Sequence, residues 1–404
     1  MTLKIFYILR LPEEKFMCVI KSCGDTRALV FTGYYLPGYK GGGPIKTIAN
    51  LAASTSDIFG YEIVTIDRDL GDSKPYSGIT SNSWSPQENA QVLYCSPTFS
   101  GLAQGWLQVL RGRYDIVYLN SFFSPNFSFI PLLLAKLRGH RVVLGPRGEF
   151  SSGALALKSK KKERFIKLFK LFRLHKGVVF QASTEHEKSD IHRVLGDDVD
   201  VFVAEDIGLL ETPGAMPPKT PDKLKLVFIS RVSPMKNLLY ALESLRDVKF
   251  PVSYDIYGPL EDARYWQQCL NVISELPENV EVAHKGELTP DQVVPTLSQY
   301  DMFFMPTQGE NYGHVIAEAL CAGLPVLISD QTPWRDLEAQ GIGWDLPLDH
   351  KSAFVQAIEE AQAMSADDFA EFRQRVLAWA KQKFENPEAI EANKAMFEYA
   401  LKKK

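Results

Sequence analysis

Short apolar runs rich in valine, isoleucine and phenylalanine recur along the chain, separated by segments whose apolar positions repeat at helical spacing. From Ala28 the order is ALVFTGYYLP, a glycine loop, a helical stretch from Ile45 to Ser54, then YEIVTID, DIVYLN and RVVLGP. Continuous apolar runs bounded by turn residues suit strands covered on both faces, and the helical stretches supply the crossovers between them. The alternation pauses at the proline-rich stretch Pro213 to Pro221 and resumes with KLVFISR, VSYDIYG, VEVAHKG, DMFFMP and LPVLISD. The pattern therefore predicts an α/β chain of two doubly wound, Rossmann-like domains facing a crevice. The boundaries it suggests are an N-terminal extension of unassigned role at 1–27, a first domain at 28–205 and a linker at 206–222. A second domain follows at 223–384, and a C-terminal helix at 385–404 is expected to return toward the first domain, with Phe397, Tyr399 and Leu401 to bury.

Composition narrows the class. A chain of 404 residues that is 45% hydrophobic and 23% charged is too long for one core and too apolar to be disordered. Its net charge of −4 gives no reason to expect nucleic acid as a partner. The charge is uneven, however: residues through Leu210 carry +6 and the remainder −10, and nine Lys or Arg face a single Glu163 between Lys158 and Lys176. The five cysteines contain no C-x-x-C pair, which suits a reduced, cytoplasmic protein. No apolar run approaches the ~20 residues of a membrane span, and Arg10, Glu13, Glu14 and Lys15 break up any secretory h-region.

Three motifs carry candidate chemistry. Gly41-Gly42-Gly43-Pro44 lies between the leading strand and a helix, with Pro44 expected as the first helical residue. Such glycines either form a tight turn or let backbone N–H groups approach an anion where the helix dipole favours negative charge. The loop is not the G-x-G-x-x-G dinucleotide fingerprint, because Lys46 stands where its last glycine belongs. Arg231 and Lys236, in SRVSPMKN, follow the first strand of the second domain, where two cations at a strand's carboxyl end can neutralise a diphosphate leaving group. Glu310 and Glu318 lie in MPTQGENYGHVIAEALCAGLPVLISD, with a loop through His314 and a short apolar helix after it. The backbone N–H groups of Tyr312, Gly313 and His314 are expected to cap that helix and face the crevice.

With glycine loop, R-x₄-K and E-x₇-E followed by A-G-x-P-V in this order, the sequence resembles the GT-B glycosyltransferases of family 4 from about Ala28 to the C-terminus. GYKGGGPIKTIANL, DRDLGD, GPRGEFSSGALALKSKKK and FQASTEHEKSDI add similarity to enzymes of capsule, O-antigen or exopolysaccharide assembly. The resemblance implies a retaining transferase for a hexose or N-acetylhexosamine carried on a nucleoside diphosphate, UDP first and GDP next, with no divalent metal and no other cofactor. Arg231 and Lys236 would grip the diphosphate, Glu318 the ribose and Glu310 the transferred sugar, with Gly42 and Gly43 approaching the donor phosphate from the other domain. Many relatives place a His from the first domain beside the donor sugar; here that strand end reads Leu119-Asn120-Ser121-Phe122. Arg147 or Glu149, at the next strand end, is expected to replace it or to bind acceptor, and Tyr39 to stack on acceptor sugar. Asp67 and Asp69 form a D-x-D that reads as loop structure or, at Asp69, as acceptor contact.

The basic segment reads as an amphipathic helix, with Phe165, Leu168, Phe169 and Phe172 on one face and Lys160, Arg164, Lys167 and Lys170 on another. It either packs its aromatic face inward or lies on an anionic leaflet, at ~1 kcal/mol per basic residue near the surface. Lys160, Lys161, Lys162, Arg164 and Lys167 would then face a membrane bearing a lipid-linked acceptor, placing the protein peripherally at the inner face of the cell membrane. Two other readings compete with the transferase. One is an oxidoreductase or nucleotide-sugar epimerase, since both use doubly wound domains. The other is a non-catalytic sugar-nucleotide-binding scaffold.

Overall fold

The computed structural model describes residues 26–403 apart from 157, 158, 212 and 221. It contains two open sheets. The first holds β1 (Thr26–Phe31), β2 (Phe59–Ile66), β3 (Trp84–Gln87), β4 (Ala90–Cys95), β5 (Ile116–Leu119), β6 (Arg141–Leu144), β7 (Val178–Ala182) and β8 (Asp200–Val203), in the order β3-β4-β2-β1-β5-β6-β7-β8. The second holds β9 (Leu224–Ile229), β10 (Val252–Tyr257), β11 (Val280–His284), β12 (Met302–Met305), β13 (Val326–Ser329) and β14 (Gly343–Leu346), in the order β11-β10-β9-β12-β13-β14. All pairs of the second sheet are parallel. Both are Rossmann-like, as the alternation of apolar runs and helices predicts. The central strands are buried along their length, which is why they read as unbroken apolar runs.

An antiparallel edge is added to the first sheet by β3, which pairs with β4 through the two-residue turn Glu88-Asn89. The sequence gives no signal for it, since the turn lacks the glycine that marks tight hairpins, and Pro86 suits an edge strand only.

Compactness divides the chain elsewhere than at the expected linker. Among the described residues, one unit comprises those from 26 to 146, from 173 to 181 and from 393 on; the other comprises those in 147–172 and 182–392. In the first unit, Phe397 of the C-terminal helix Glu388–Lys402 is fully buried, with its ring 5.0 Å from Phe59 and 5.7 Å from Tyr118. Asn393 accepts a hydrogen bond from Gln181, whose own side chain holds the Tyr118 hydroxyl. In the second unit, part of the stretch expected as a linker is hydrogen-bonded along the second sheet's domain. Gly214 donates to Ser298, Ala215 accepts from Gln299, and the buried Lys219 ammonium donates to the carbonyls of Gln362 and Met364. Burial lowers the Lys219 pKa.

Arg373, 4% exposed on the helix Ala366–Glu385, donates to the carbonyls of Gly323 and Ser298. These lie at the C-terminal ends of the helices His314–Cys321 and Pro290–Leu297, so one guanidinium satisfies carbonyls that those helices leave open.

Candidate functional site

In each sheet the chain leaves a central strand in opposite directions: from β1 the order runs to β2 on one side and β5 on the other, and from β9 to β10 on one side and β12 on the other. Such a switch point opens a crevice beyond the strands' carboxyl ends, where open α/β sheets bind ligands. The R-x₄-K motif follows β9 and the E-x₇-E motif follows β12, so the second sheet brings both motifs to its switch point.

The turn Pro234–Lys236 is fixed to the exit of β12. Asn237, at φ 58°, donates from its side chain to the Pro306 carbonyl, while the Met235 carbonyl accepts from the Gln308 amide at 2.8 Å and the Thr307 hydroxyl at 3.0 Å. This places the Lys236 ammonium on the Glu310 carboxylate in a direct ion pair, the two side chains being 14% and 11% exposed. Arg231 is more open, 39% exposed, and pairs with Glu261 at 2.9 Å. The site thus presents two cations at one strand end, one of them balanced by the very carboxylate expected to act on the sugar.

Beyond Glu310 the helix His314–Cys321 begins after Gly313, which sits at φ 84°. A Cβ there would meet Ile316 at 2.9 Å and Trp334 at 3.2 Å, so glycine is required both by conformation and by space. Tyr312, whose backbone N–H is expected at the helix start, turns its side chain inward. It is 4% exposed, its carbonyl accepts from the Trp334 indole at the helix entry, and burial pushes its hydroxyl well above the usual tyrosine range. His314 is the first helical residue, with its ring 4.8 Å from Tyr312. Glu318 lies on the same helix and is 8% exposed.

In the first unit, the helix Gly43–Thr55 starts one residue before the expected position, with Gly42 as its cap at φ 71°. The Gly42 amide is taken up by the Tyr39 carbonyl at 2.9 Å, which closes the loop; Gly43 is left as the glycine whose amide opens the helix. Asp69 is 4% exposed and accepts from the amides of Tyr39, Lys40 and Leu70 at 2.8, 3.1 and 2.8 Å. Its carboxylate is therefore the staple of the glycine loop. Asp67 is engaged by Arg68 and Ser81. Among the described residues, no group of three or more His, Cys, Asp or Glu is arranged to hold a metal ion. Asn120, at the end of β5, donates to the Pro44 carbonyl and so ties β5 to the helix start. Tyr39 is half-buried beside this loop.

Arg147 and Glu149 fall in the second unit. Arg147, at φ 56°, directs its guanidinium onto Asp206 at 2.5 Å, with both side chains buried, and Glu149 is half-buried in the same turn. The helix Ser159–Leu171 does form over the basic segment, of which residues 157 and 158 lie outside the described residues. Its expected apolar face divides: Phe169 is buried, whereas Leu168, Leu171 and Phe172 are 53%, 71% and 67% exposed. Lys160, Lys161, Arg164 and Lys167 are exposed beside them, and Lys162 donates to the Ala154 carbonyl. No helix among the described residues is long and apolar enough to cross a membrane.

Sequence reasoning missed Asn311, next to Glu310, and Ser183, Asp206 and Glu187, which are linked to it by hydrogen bonds. Only the spacing Thr184-x-x-Glu187, a helix-start signature, could have drawn attention to one of them.

Two Rossmann-like sheets, the second with a charged pair at its switch point, define a doubly wound α/β architecture. Residues 216–376 match the family model described as "Glycosyl transferases group 1". A search of curated proteins gives no match. Among solved structures, the chain is similar to Anabaena HepE in complex with UDP and glucose, with TM-score 0.66, 13% identity, and 93% of this chain and 98% of that one covered. It is also similar to sucrose-phosphate synthase from Thermosynechococcus elongatus, with TM-score 0.66, 14% identity and coverage of 93% and 98%. A third is WaaG, a glycosyltransferase involved in lipopolysaccharide biosynthesis, with TM-score 0.61, 13% identity and coverage of 92% and 99%. These likenesses show the GT-B fold, and residues 216–376 are similar to the glycosyl transferases group 1 family.

Proposed function

We propose that this chain is a retaining glycosyltransferase of family 4. It moves a hexose or N-acetylhexosamine from a nucleoside diphosphate, UDP first and GDP next, to a lipid-linked or growing cell-surface glycan. The observation that carries this reading is the Lys236–Glu310 pair at the switch point of the second sheet, with Arg231 on the same strand end. In this reading Lys236 and Arg231 bind the diphosphate, the start of the helix at Gly313 and His314 adds its positive dipole, Glu318 holds the ribose and Glu310 the sugar hydroxyls. The bond from the anomeric carbon to the diphosphate oxygen breaks, the acceptor hydroxyl bonds to that carbon from the face the diphosphate leaves, and its proton passes to a phosphate oxygen. The cations neutralise the charge developing on the leaving group, so the reading needs no divalent metal. HepE, crystallised with UDP and glucose, supports UDP, and WaaG supports a cell-surface glycan as product.

Tyr39 and Glu149 belong to the acceptor side in this reading. The exposed Leu168, Leu171 and Phe172, interleaved with Lys160, Lys161, Arg164 and Lys167, support an anionic membrane surface as a further partner and a cytoplasmic, peripheral location.

The test is calorimetric titration of UDP, GDP, ADP and NAD into the wild type and Lys236→Ala, without and with magnesium. One nucleoside diphosphate should bind without magnesium and lose about tenfold in affinity, ~1.4 kcal/mol, in the variant. Preference for NAD, or no nucleotide binding by folded protein, would overturn the reading.

A further inference from the structure

The loop that carries Glu310 is held on one side by backbone contacts, the Gln308 amide on Met235 and the Glu310 amide on the Gln331 carbonyl at 3.2 Å. On its other side stands a chain of buried polar groups. The Asn311 side-chain amide donates to the Ser183 hydroxyl at 3.0 Å, Ser183 donates to Asp206 at 3.4 Å, and the Arg147 guanidinium donates to the same Asp206 oxygen. The direction of this chain is fixed by its ends, because an amide nitrogen only donates and a carboxylate only accepts, leaving one orientation for the hydroxyl between them.

The chain is set in a rigid socket. Glu187, 4% exposed, accepts from the Ser183 amide on one oxygen and from the Gly148 amide on the other, both at 2.7 Å. Burial pushes its carboxyl above the usual range, while the two amides and Arg147 pull it back. Arg147 and Gly148 are consecutive residues at φ 56° and 73°, and a Cβ on Gly148 would stand 3.2 Å from that of Asn311. Two carboxylates and a guanidinium are thus taken out of water, an expensive arrangement unless position is what it secures. The residue they meet is the immediate neighbour of Glu310.

We infer that Arg147, Asp206 and Ser183 are positioning residues that act through Asn311 to hold Glu310 at the transferred sugar. Arg147 thereby supports the loop. The inference rests on the transferase reading. The charged diphosphate contacts come from Lys236 and Arg231, which follow β9, and the helix start adds only its dipole, so loss of the tether should lower turnover much more than nucleotide affinity. A displacement of about 1 Å at a reacting group can cost ~100-fold in rate.

The test compares wild type, Asn311→Ala, Ser183→Ala and the double variant, none of which leaves Asp206 without Arg147. Hydrogen exchange is followed in the peptide spanning 308–314, together with UDP affinity and UDP release from UDP-glucose. Each single variant should speed exchange in that peptide and lower kcat about tenfold or more, with UDP affinity changed less than about twofold. The double variant should be no slower than the worse single one, as expected for residues acting as a unit. Wild-type exchange in Asn311→Ala, unchanged kcat, or independent multiplying effects would overturn the inference. Failure of the wild type to bind UDP would overturn the UDP reading, and the exchange result would still decide whether the tether holds the loop.

Discussion

Asp69 illustrates how a residue's surroundings decide its role. From the sequence it is half of a D-x-D, open to acceptor contact or loop structure; the fold shows three backbone amides converging on its buried carboxylate. Removing it leaves three part-buried backbone donors unsatisfied, at about 1–3 kcal/mol each, in part offset by water entry. Asp69→Ala should therefore lower stability by ~2–4 kcal/mol, read as a lower urea midpoint, while Asp69→Asn, keeping one acceptor oxygen, should lose less. Equal midpoints would show that these bonds hold nothing. Lys236 and Glu310 were legible because their chemistry and spacing are distinctive in sequence. Asn311, beside Glu310 on the same loop, was not, because its partner Ser183 is 128 residues away in the chain and nothing local marks the contact.

Among the elements, the strands buried on both faces were read with nearly their true limits, since burial leaves a continuous apolar signal: β12 falls within DMFFMP, and β9 begins one residue before KLVFISR. The β3–β4 hairpin was missed for the opposite reason, an edge strand of mixed polarity needing no such run. The helix Ser159–Leu171 was legible as amphipathic, yet periodicity could not tell that Phe169 would turn inward while Leu168 and Leu171 would face out. Helical spacing places these side chains on a wheel, and only tertiary packing selects the arc that is covered. The uncovered arc, bordered by Lys160, Lys161, Arg164 and Lys167, fits an anionic lipid surface. Co-flotation with phosphatidylglycerol vesicles should fall at least about tenfold when the exposed Lys160, Lys161 and Lys167 are replaced by Glu, from ~1 kcal/mol per basic residue. Unchanged flotation would remove this helix from the membrane account.

For the molecule as a whole, fold class followed from the alternation of strand and helix, and the GT-B likenesses agree with it. The division into compact units did not follow, because it depends on side chains that bridge distant stretches. Arg147 and Asp206, 59 residues apart, fasten the chain after β6 to the second unit, and Asn393 and Phe397 fasten the chain end to the first. Catalysis in this account depends on Glu310 more than on any other carboxylate, and on its exchange of Lys236 for the donor's sugar as Lys236 takes the diphosphate. The decisive measurement is UDP release from UDP-glucose, or from the sugar nucleotide that the titrations select, by wild type and Glu310→Gln, with nucleotide affinity determined on the same samples. The account predicts about a 100-fold or greater loss of turnover with nucleotide bound as tightly as in the wild type or more so, because Lys236 is relieved of its ion pair. Wild-type turnover in Glu310→Gln, or a loss of affinity that accounts for the whole loss of rate, would contradict it.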